Sequence, residues 1–290
     1  MAPGTVQLDN FSWNRRLVRY VKAGLHEKAV ELFQGMQQKG TAPDTFTFVP
    51  VRNACASLGA LKEGRQVHEQ IIQSGYEADV FVGCSLVHMY AKCGSMEDAQ
   101  RVFNKMPSRD VATWTAMILG HVKCGQGQKA LEAFQQMQQK GVWPNSVTFV
   151  GVVNACASLA ALEEGRSAHE QIIQSGWDSD VKVGNCLVDM YAKCGSMEDA
   201  QSVQHDVVSW NAILGGCAMH GHGNEAPKHF EQMCEEGVQP DDITFVCLLS
   251  ACSHAGLADE GAFPVQVPSA APTSGALTLG MPCPQVLSYT

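Results

Sequence analysis

The sequence predicts an all-α fold, a right-handed superhelical α-solenoid of helix–turn–helix repeats. Three observations carry that expectation: a long internal duplication, an apolar period of three and four residues within it, and glycines and prolines where helices should end. Residues 45–102 and 146–203 align without a gap and match at 42 of 58 positions. Cys55 to Cys156, His68 to His169 and Met89 to Met190 are each 101 residues apart. Trp13 to Trp114 repeats that spacing, whereas Trp114 to Trp210 is 96. The 101-residue period divides into units of 35, 35 and 31 residues.

In chain order the units are 10–44, 45–79, 80–110, 111–145, 146–180, 181–206, 207–241 and a partial 242–261, between a leader at 1–9 and a tail at 262–290. The first kind (10–44, 111–145, 207–241) opens on a polar–Trp phrase, FSWN, ATWT or VSWN, and closes on GTAP, GVWP or GVQP. Within it Leu25, Ala29, Leu32, Phe33 and Met36 recur at helical spacing, and the closing Gly and Pro stop the second helix. The second kind (45–79, 146–180) carries phrases such as VNACASLAALEEGRSAHEQIIQSG, again two helical stretches. The third kind (80–110) turns at Gly94, with Ser95 placed as an N-cap and Asp98 at capping-box spacing. No unit of this size buries its own apolar face, so the units must stack.

Composition narrows the function. Twenty Lys and Arg stand against 29 Asp and Glu, net −9, which argues against gripping a polyanion by bulk charge. No apolar run is long enough to span a bilayer. The cysteines recur within repeated phrases (NACAS at Cys55 and Cys156, YAKCGSMEDAQ at Cys93 and Cys194) and form no CxxC, so they read as small buried residues of an intracellular protein with reduced thiols. The first residues resemble neither a signal nor a transit peptide. Residues 262–290 carry no charge and five prolines, so an irregular tail is expected there, with an altered reading frame or aberrant splice junction as its origin.

The 35/35/31 alternation, the SWN openings, NACASLGALKEGRQVH and VHMYAKCGSMEDAQRVFNKMPSRDV together resemble the plant pentatricopeptide-repeat family, over about residues 10–261. The unit pattern is similar to its P-L-S subclass, lacking a complete C-terminal extension or DYW deaminase domain. The resemblance implies sequence-selective binding of single-stranded organellar RNA, one base per repeat, in RNA editing or processing. It implies that the fifth and last residues of a unit face the base. Those pairs are Asn14 with Asp44 (uridine), Thr115 with Asn145 (adenine), Asn185 with Asp206 (uridine) and Asn211 with Asp241 (uridine). Cys84 with Asp110 falls outside the family's usual pairs, and Val49 with Asp79, Val150 with Asp180, and Val246 offer no hydrogen bond from the fifth position. The expected order is U-x-x-A-x-U-U. The competing reading of these polar residues is helix capping. Location follows the family too: the mitochondrion, with the chloroplast as alternative.

Two departures stand out. After Val203 five residues present in the first copy, beginning at Phe103, are missing, which shortens the second helix of unit 181–206 by more than a turn and makes its pair the least secure. Pro227 stands where Val30 and Leu131 stand elsewhere, close enough to the helix start to be tolerated.

No enzyme is expected, and no cofactor or metal. The deaminase chemistry of related proteins needs HxE followed by PCxxC to hold zinc. His229-Phe230-Glu231 provides an HxE, but Pro282-Cys283 lacks the second cysteine, and His229 aligns with Leu32 and Ala133, on a helix face expected to be buried. His220 and His222 straddle Gly221 and read as turn residues. Catalysis would therefore come from an editing deaminase or other editing factors in trans. The alternatives are a protein-interaction scaffold and a degenerate repeat protein without activity.

Overall fold

The computed structural model describes residues 9–77, 79–203 and 206–255; the tail at 262–290, nearly all of the leader and the end of the partial last unit lie outside them. The described residues form helices and no strands. Eight first helices run through the units: α1 (Asn10–Lys22), α3 (Thr45–Leu58), α5 (Val80–Lys92), α7 (Val111–Lys123), α9 (Ser146–Leu159), α11 (Val181–Lys193), α13 (Val207–His220) and α15 (Asp242–His254). Seven second helices alternate with them: α2 (His26–Gln38), α4 (Leu61–Gln73), α6 (Met96–Lys105), α8 (Gly127–Gln139), α10 (Leu162–Gln174), α12 (Met197–Gln201) and α14 (Ala226–Glu235).

The two sets begin differently. Every first helix starts at an Asp or Asn, namely Asp9, Asp44, Asp79, Asp110, Asn145, Asp180, Asp206 and Asp241, whose side chain accepts a backbone N–H of the first turn. Such a cap contributes about 1 kcal/mol by satisfying a donor the helix cannot. No second helix has one. Ser95 and Ser196 occupy cap positions, but their hydroxyls donate to Asp98 and Asp199 at 2.7 Å instead of accepting from the backbone. That corrects the capping box expected there: the acid three residues on takes the serine for itself. At the other end, Gly40, Gly141 and Gly237 adopt positive φ, where the sequence places the helix stops.

Each first helix packs on its own second helix and on the next first helix, while second helices reach mainly first helices and scarcely one another. The first helices thus form the tight inner row of a curved stack, and their outward side is a concave groove. One core runs from Leu17 to Cys252 and contains Trp114 and Trp210, and Trp13 is buried beside its first members. Edge-to-face rings join neighbouring units: Phe33 with Phe48 at 6.3 Å and Phe134 with Phe149 at 6.1 Å.

The gap after Val203 leaves α12 five residues long against ten in α6. In the intact unit Phe103 meets Trp114 edge-to-face at 4.7 Å and carries the Arg109 guanidinium over its ring. Pro227 sits in the first turn of α14, as expected. No helix of the described residues is long and apolar enough to cross a membrane.

Candidate functional site

The side chains that could meet a ligand hang from the inner row. On a helix, residues two apart point to nearly opposite sides. Trp13, Trp114 and Trp210 face inward, so the residue two before each must face the groove. Phe11, Phe46, Phe81, Val147, Val208 and Ile243, each the second residue of its unit, are at least half exposed. The row of apolar side chains was hidden in the sequence because its members look like ordinary core residues. The signal that finds it is their register against the tryptophans.

Between these apolar residues lie the polar pairs. Asn14 Nδ2 donates to Asp44 Oδ1 at 3.0 Å and lies 3.2 Å from Oδ2. Asn211 Nδ2 donates to Asp241 at 3.0 Å. Asn185 and Asp206 are joined at 3.1 Å in spite of the missing residues just before them. Thr115 does not touch Asn145. Its hydroxyl meets that of Thr148 at 2.7 Å, and Thr148 bonds to Asn145 Oδ1 at 2.9 Å. Asp44, Asn145, Asp206 and Asp241 are also the N-caps of the following helices, so capping and groove exposure coincide in the same side chains.

A further residue recurs at each polar pair. Thr47, Thr148, Ser209 and Thr244, third in the following unit, are fully buried and touch both partners or bridge them. They are legible as the [DN]xx[ST] phrases DTFT, NSVT, DVVS and DDIT, a pattern that by itself signals only a helix cap. Where the fifth residue is Val49 or Val150, the third residue of the next unit is Val82 or Val183.

A cleft of 830 Å³ lies between α1 and α3, lined by Phe11, Asn14, Arg15, Val18, Asp44 and Phe46, among others. Two aromatic walls, a polar floor and one guanidinium meet there. In unit 80–110 the floor is poorer. Cys84 shares a hydrogen bond with Thr113, and burial pushes its thiol up, so it is a neutral group at physiological pH. The Thr244 backbone N–H and the Asn211 amide hold the Asp241 carboxyl below the usual carboxylate range, so Asp241 is ionised there.

Charge is partitioned between the layers. The seven second helices carry fourteen acidic residues, whereas the eight first helices carry two, Asp189 and Asp242. Lys22, Lys92, Lys123 and Lys193 each end a first helix. Lys193 is paired with Asp189 at 2.7 Å. Seven further acids, the N-cap aspartates, stand at the starts of the first helices, so the groove keeps those carboxylates while fourteen acids lie on the outer layer.

The residues considered for catalysis are not brought together. His229 is buried and shares a 2.8 Å hydrogen bond with Gln201, while Glu231 is exposed. Pro282 and Cys283 lie outside the described residues. His220 is exposed beside the turn, and among the described residues no group of three His, Cys, Asp or Glu is placed to hold a metal ion. The described cysteines are free, and burial pushes the Cys55 and Cys156 thiols up to about 12.

Comparison with known proteins adds to this geometry. Profiles of the PPR repeat family match residues 109–158 and 205–254, and of the PPR repeat residues 11–41, 84–111 and 185–206, together more than half of the chain. A pentatricopeptide repeat-containing protein of Arabidopsis thaliana is 40% identical over 260 residues, which are 88% of this chain and 36% of that protein. The chloroplastic pentatricopeptide repeat-containing protein CRR2 of the same plant is 39% identical over 262 residues, 87% of this chain and 40% of its own. A mitochondrial one is 38% identical over 260 residues, 88% of this chain and 40% of its own. This chain therefore spans about two-fifths of the length of these relatives. Among solved structures, the pentatricopeptide repeat protein PPR10 in complex with an 18-nt psaJ RNA element superposes with a TM-score of 0.72 at 22% identity, covering 86% of this chain and 38% of that one. At that identity the likeness speaks for the fold, a helical solenoid.

Proposed function

The chain belongs to the PPR repeat family of plant proteins, and from that premise we propose that its groove binds single-stranded RNA and selects bases at the polar pairs. The observation that carries this reading is the order along the inner row at Asn14–Asp44 and Asn211–Asp241: an exposed apolar side chain, a polar pair, then the next apolar side chain. A base has two apolar faces and one edge of donors and acceptors. Stacking on residues such as Phe11 and Phe46 binds any base, at about 1–3 kcal/mol each. Asn14 with Asp44, Thr115 with Asn145, Asn185 with Asp206 and Asn211 with Asp241 then discriminate, because a mismatched edge leaves a polar group unpaired at a cost of about 1–3 kcal/mol. Lys22, Lys92 and Lys123 supply charge for the phosphates. PPR10, the solenoid this chain resembles, was crystallised on RNA, which supports the reading.

The wider role we propose is organellar RNA modification, editing or processing, in the mitochondrion first and the chloroplast second, with any deaminase supplied by a partner in trans. Relatives carry both locations in their names. The test is selection from a random single-stranded RNA pool by the full chain at about 0.15 M salt. Enrichment of spaced U, A, U and U in the order of the four pairs is expected. A pool that stays flat contradicts the proposal.

A further inference from the structure

We infer that each polar position is read by three side chains rather than two: the hydroxyl at the third residue of the following unit fixes which way the fifth residue's amide faces, and so which base edge the groove accepts. The inference rests on the proposed RNA-binding groove and concerns how that groove chooses.

The hydrogen bonds leave little freedom. Thr47 Oγ1 lies 2.7 Å from Asn14 Oδ1, Ser209 Oγ 2.7 Å from Asn185 Oδ1, and Thr244 Oγ1 2.6 Å from Asn211 Oδ1. A hydroxyl has one proton to give. At the first of these, Asp44 N–H donates to Thr47 Oγ1 at 3.1 Å, and Asp44 Oδ1 already accepts Thr47 N–H at 2.8 Å. Asp44 Oδ1 lies 2.9 Å from the same hydroxyl but already accepts the Thr47 N–H and the Asn14 amide, so the hydroxyl proton goes to the closer amide oxygen. On the other side the amide nitrogen must donate, because its neighbour is a carboxylate that can only accept. The asparagine is held at both ends.

What remains for a ligand is specific. The second Nδ2–H of Asn14, Asn185 or Asn211 is a donor, and an oxygen of the adjoining carboxylate is an acceptor. Uracil complements that pair, its N3–H donating to the carboxylate and its O4 accepting the amide proton. In unit 111–145 the set changes. Asn145 Oδ1 takes the Thr148 N–H at 2.9 Å as well as its hydroxyl, leaving the Asn145 NH2 as donor beside the paired Thr115 and Thr148 hydroxyls. No carboxylate acceptor remains, so the N3–H of uracil loses its partner, and the position suits an edge whose ring nitrogen accepts, as adenine N1 does. The apolar units obey the same rule from the other side, since Val49 and Val150 are followed by Val82 and Val183. A buried hydroxyl there would have no amide to meet.

The test uses the full chain and the random RNA pool. Thr47→Val removes the hydroxyl; valine already stands at this register in α5 and α11, so the helix can accept it. Thr47→Val should cut the uracil preference at the position read by Asn14 by about tenfold, while total RNA affinity changes by less than about threefold. Thr47→Ser should restore the preference. Thermal melting separately reports the lost cap, which a purely structural role would share without any change at a single base position. In the other direction, Val150→Asn with Val183→Thr should create a new pyrimidine preference beside Asp180, and Val150→Asn alone should not. An unchanged preference in Thr47→Val, or equal gains from the single and double changes at 150 and 183, overturns the inference and leaves the RNA-binding reading standing. A flat pool for the wild-type chain overturns both.

Discussion

Units 80–110 and 181–206 are one design built twice, and the second was built short. The intact copy finishes its outer helix α6 with Phe103 and Met106, both buried, and packs Phe103 against Trp114 and Arg109. The short copy stops at α12, after five residues. On the inner row nothing comparable is lost: Asn185 still reaches Asp206 at 3.1 Å, and Ser209 still reaches Asn185 at 2.7 Å. The lesson is a division of labour. Outer helices supply apolar mass that holds neighbouring units together, while the groove residues hang from first helices whose caps are set locally. A loss in the outer layer therefore weakens the stack without erasing the groove.

The sharpest way to break this comparison is to make the intact copy resemble the short one. Phe103→Ala should destabilise the region around α6 and α7 by about 3 kcal/mol, the usual cost of a large-to-small change in a core. In a repeat array the effect stays near its site, so hydrogen exchange should accelerate in α6 and α7 and change little in α1. Uniform acceleration along the chain would contradict local holding.

A smaller effect of opposite sign separates the copies at another pair of counterparts. Arg52 is fully buried where the second copy has Val153. Its Nη1 donates to the Val82 carbonyl at 3.2 Å, but Nε and Nη2 have no hydrogen-bond partner, and burial pushes the guanidinium down to about 10. Arg52→Val removes a buried charge whose desolvation outweighs its attraction to Asp79. It should raise the urea midpoint of unfolding, by about 1–2 kcal/mol in stability. A loss of stability would mean that the guanidinium is doing more than the hydrogen bonds show.

Ala160 and Gly59 make a third contrast. Both end a first helix with positive φ, 50° and 65°, a conformation that costs a side chain about 1 kcal/mol. Ala160→Gly should therefore raise the thermal midpoint slightly, and Gly59→Ala should lower it.

The smallest effect is a pH dependence common to both copies. His68 and His169 share 2.9 Å hydrogen bonds with Tyr90 and Tyr191, and burial lowers both imidazole pKa values. The unfolded chain then binds the proton more tightly than the folded one. Stability should be full above the ordinary histidine range, near pH 6.5, and fall as the pH drops below it. A double His68→Gln, His169→Gln variant should flatten that slope, checked by urea unfolding between pH 5.5 and 7.5, a window of roughly one unit either side.

How much of this was legible depends on which physical signal carried each part. The repeat, the helices and the short outer helix follow from period and counting, which a sequence displays directly. The polar pairs were named from resemblance, and the structure joins three of the four directly. Thr115 and Asn145 meet only through Thr148, because a hydroxyl on a short stem cannot span the gap that an asparagine does. Phe11, Phe46 and Phe81 escaped because an apolar residue in a helix defaults to the core unless its neighbours already fill that side. A [DN]xx[ST] phrase signals a local cap and says nothing about a partner one unit back. Ser95 failed for a related reason: Asp98 competes for its hydroxyl.

One measurement bears most directly on the central claim, that the inner-row pairs choose the base. The double change Thr115→Asn with Asn145→Asp gives unit 111–145 the side chains of unit 207–241, and Thr148 already supplies the hydroxyl. Selection from the random RNA pool should then replace adenine by uracil at that one position and leave its neighbours as they were. Adenine retained there, or a shift spread over the whole site, would contradict the account.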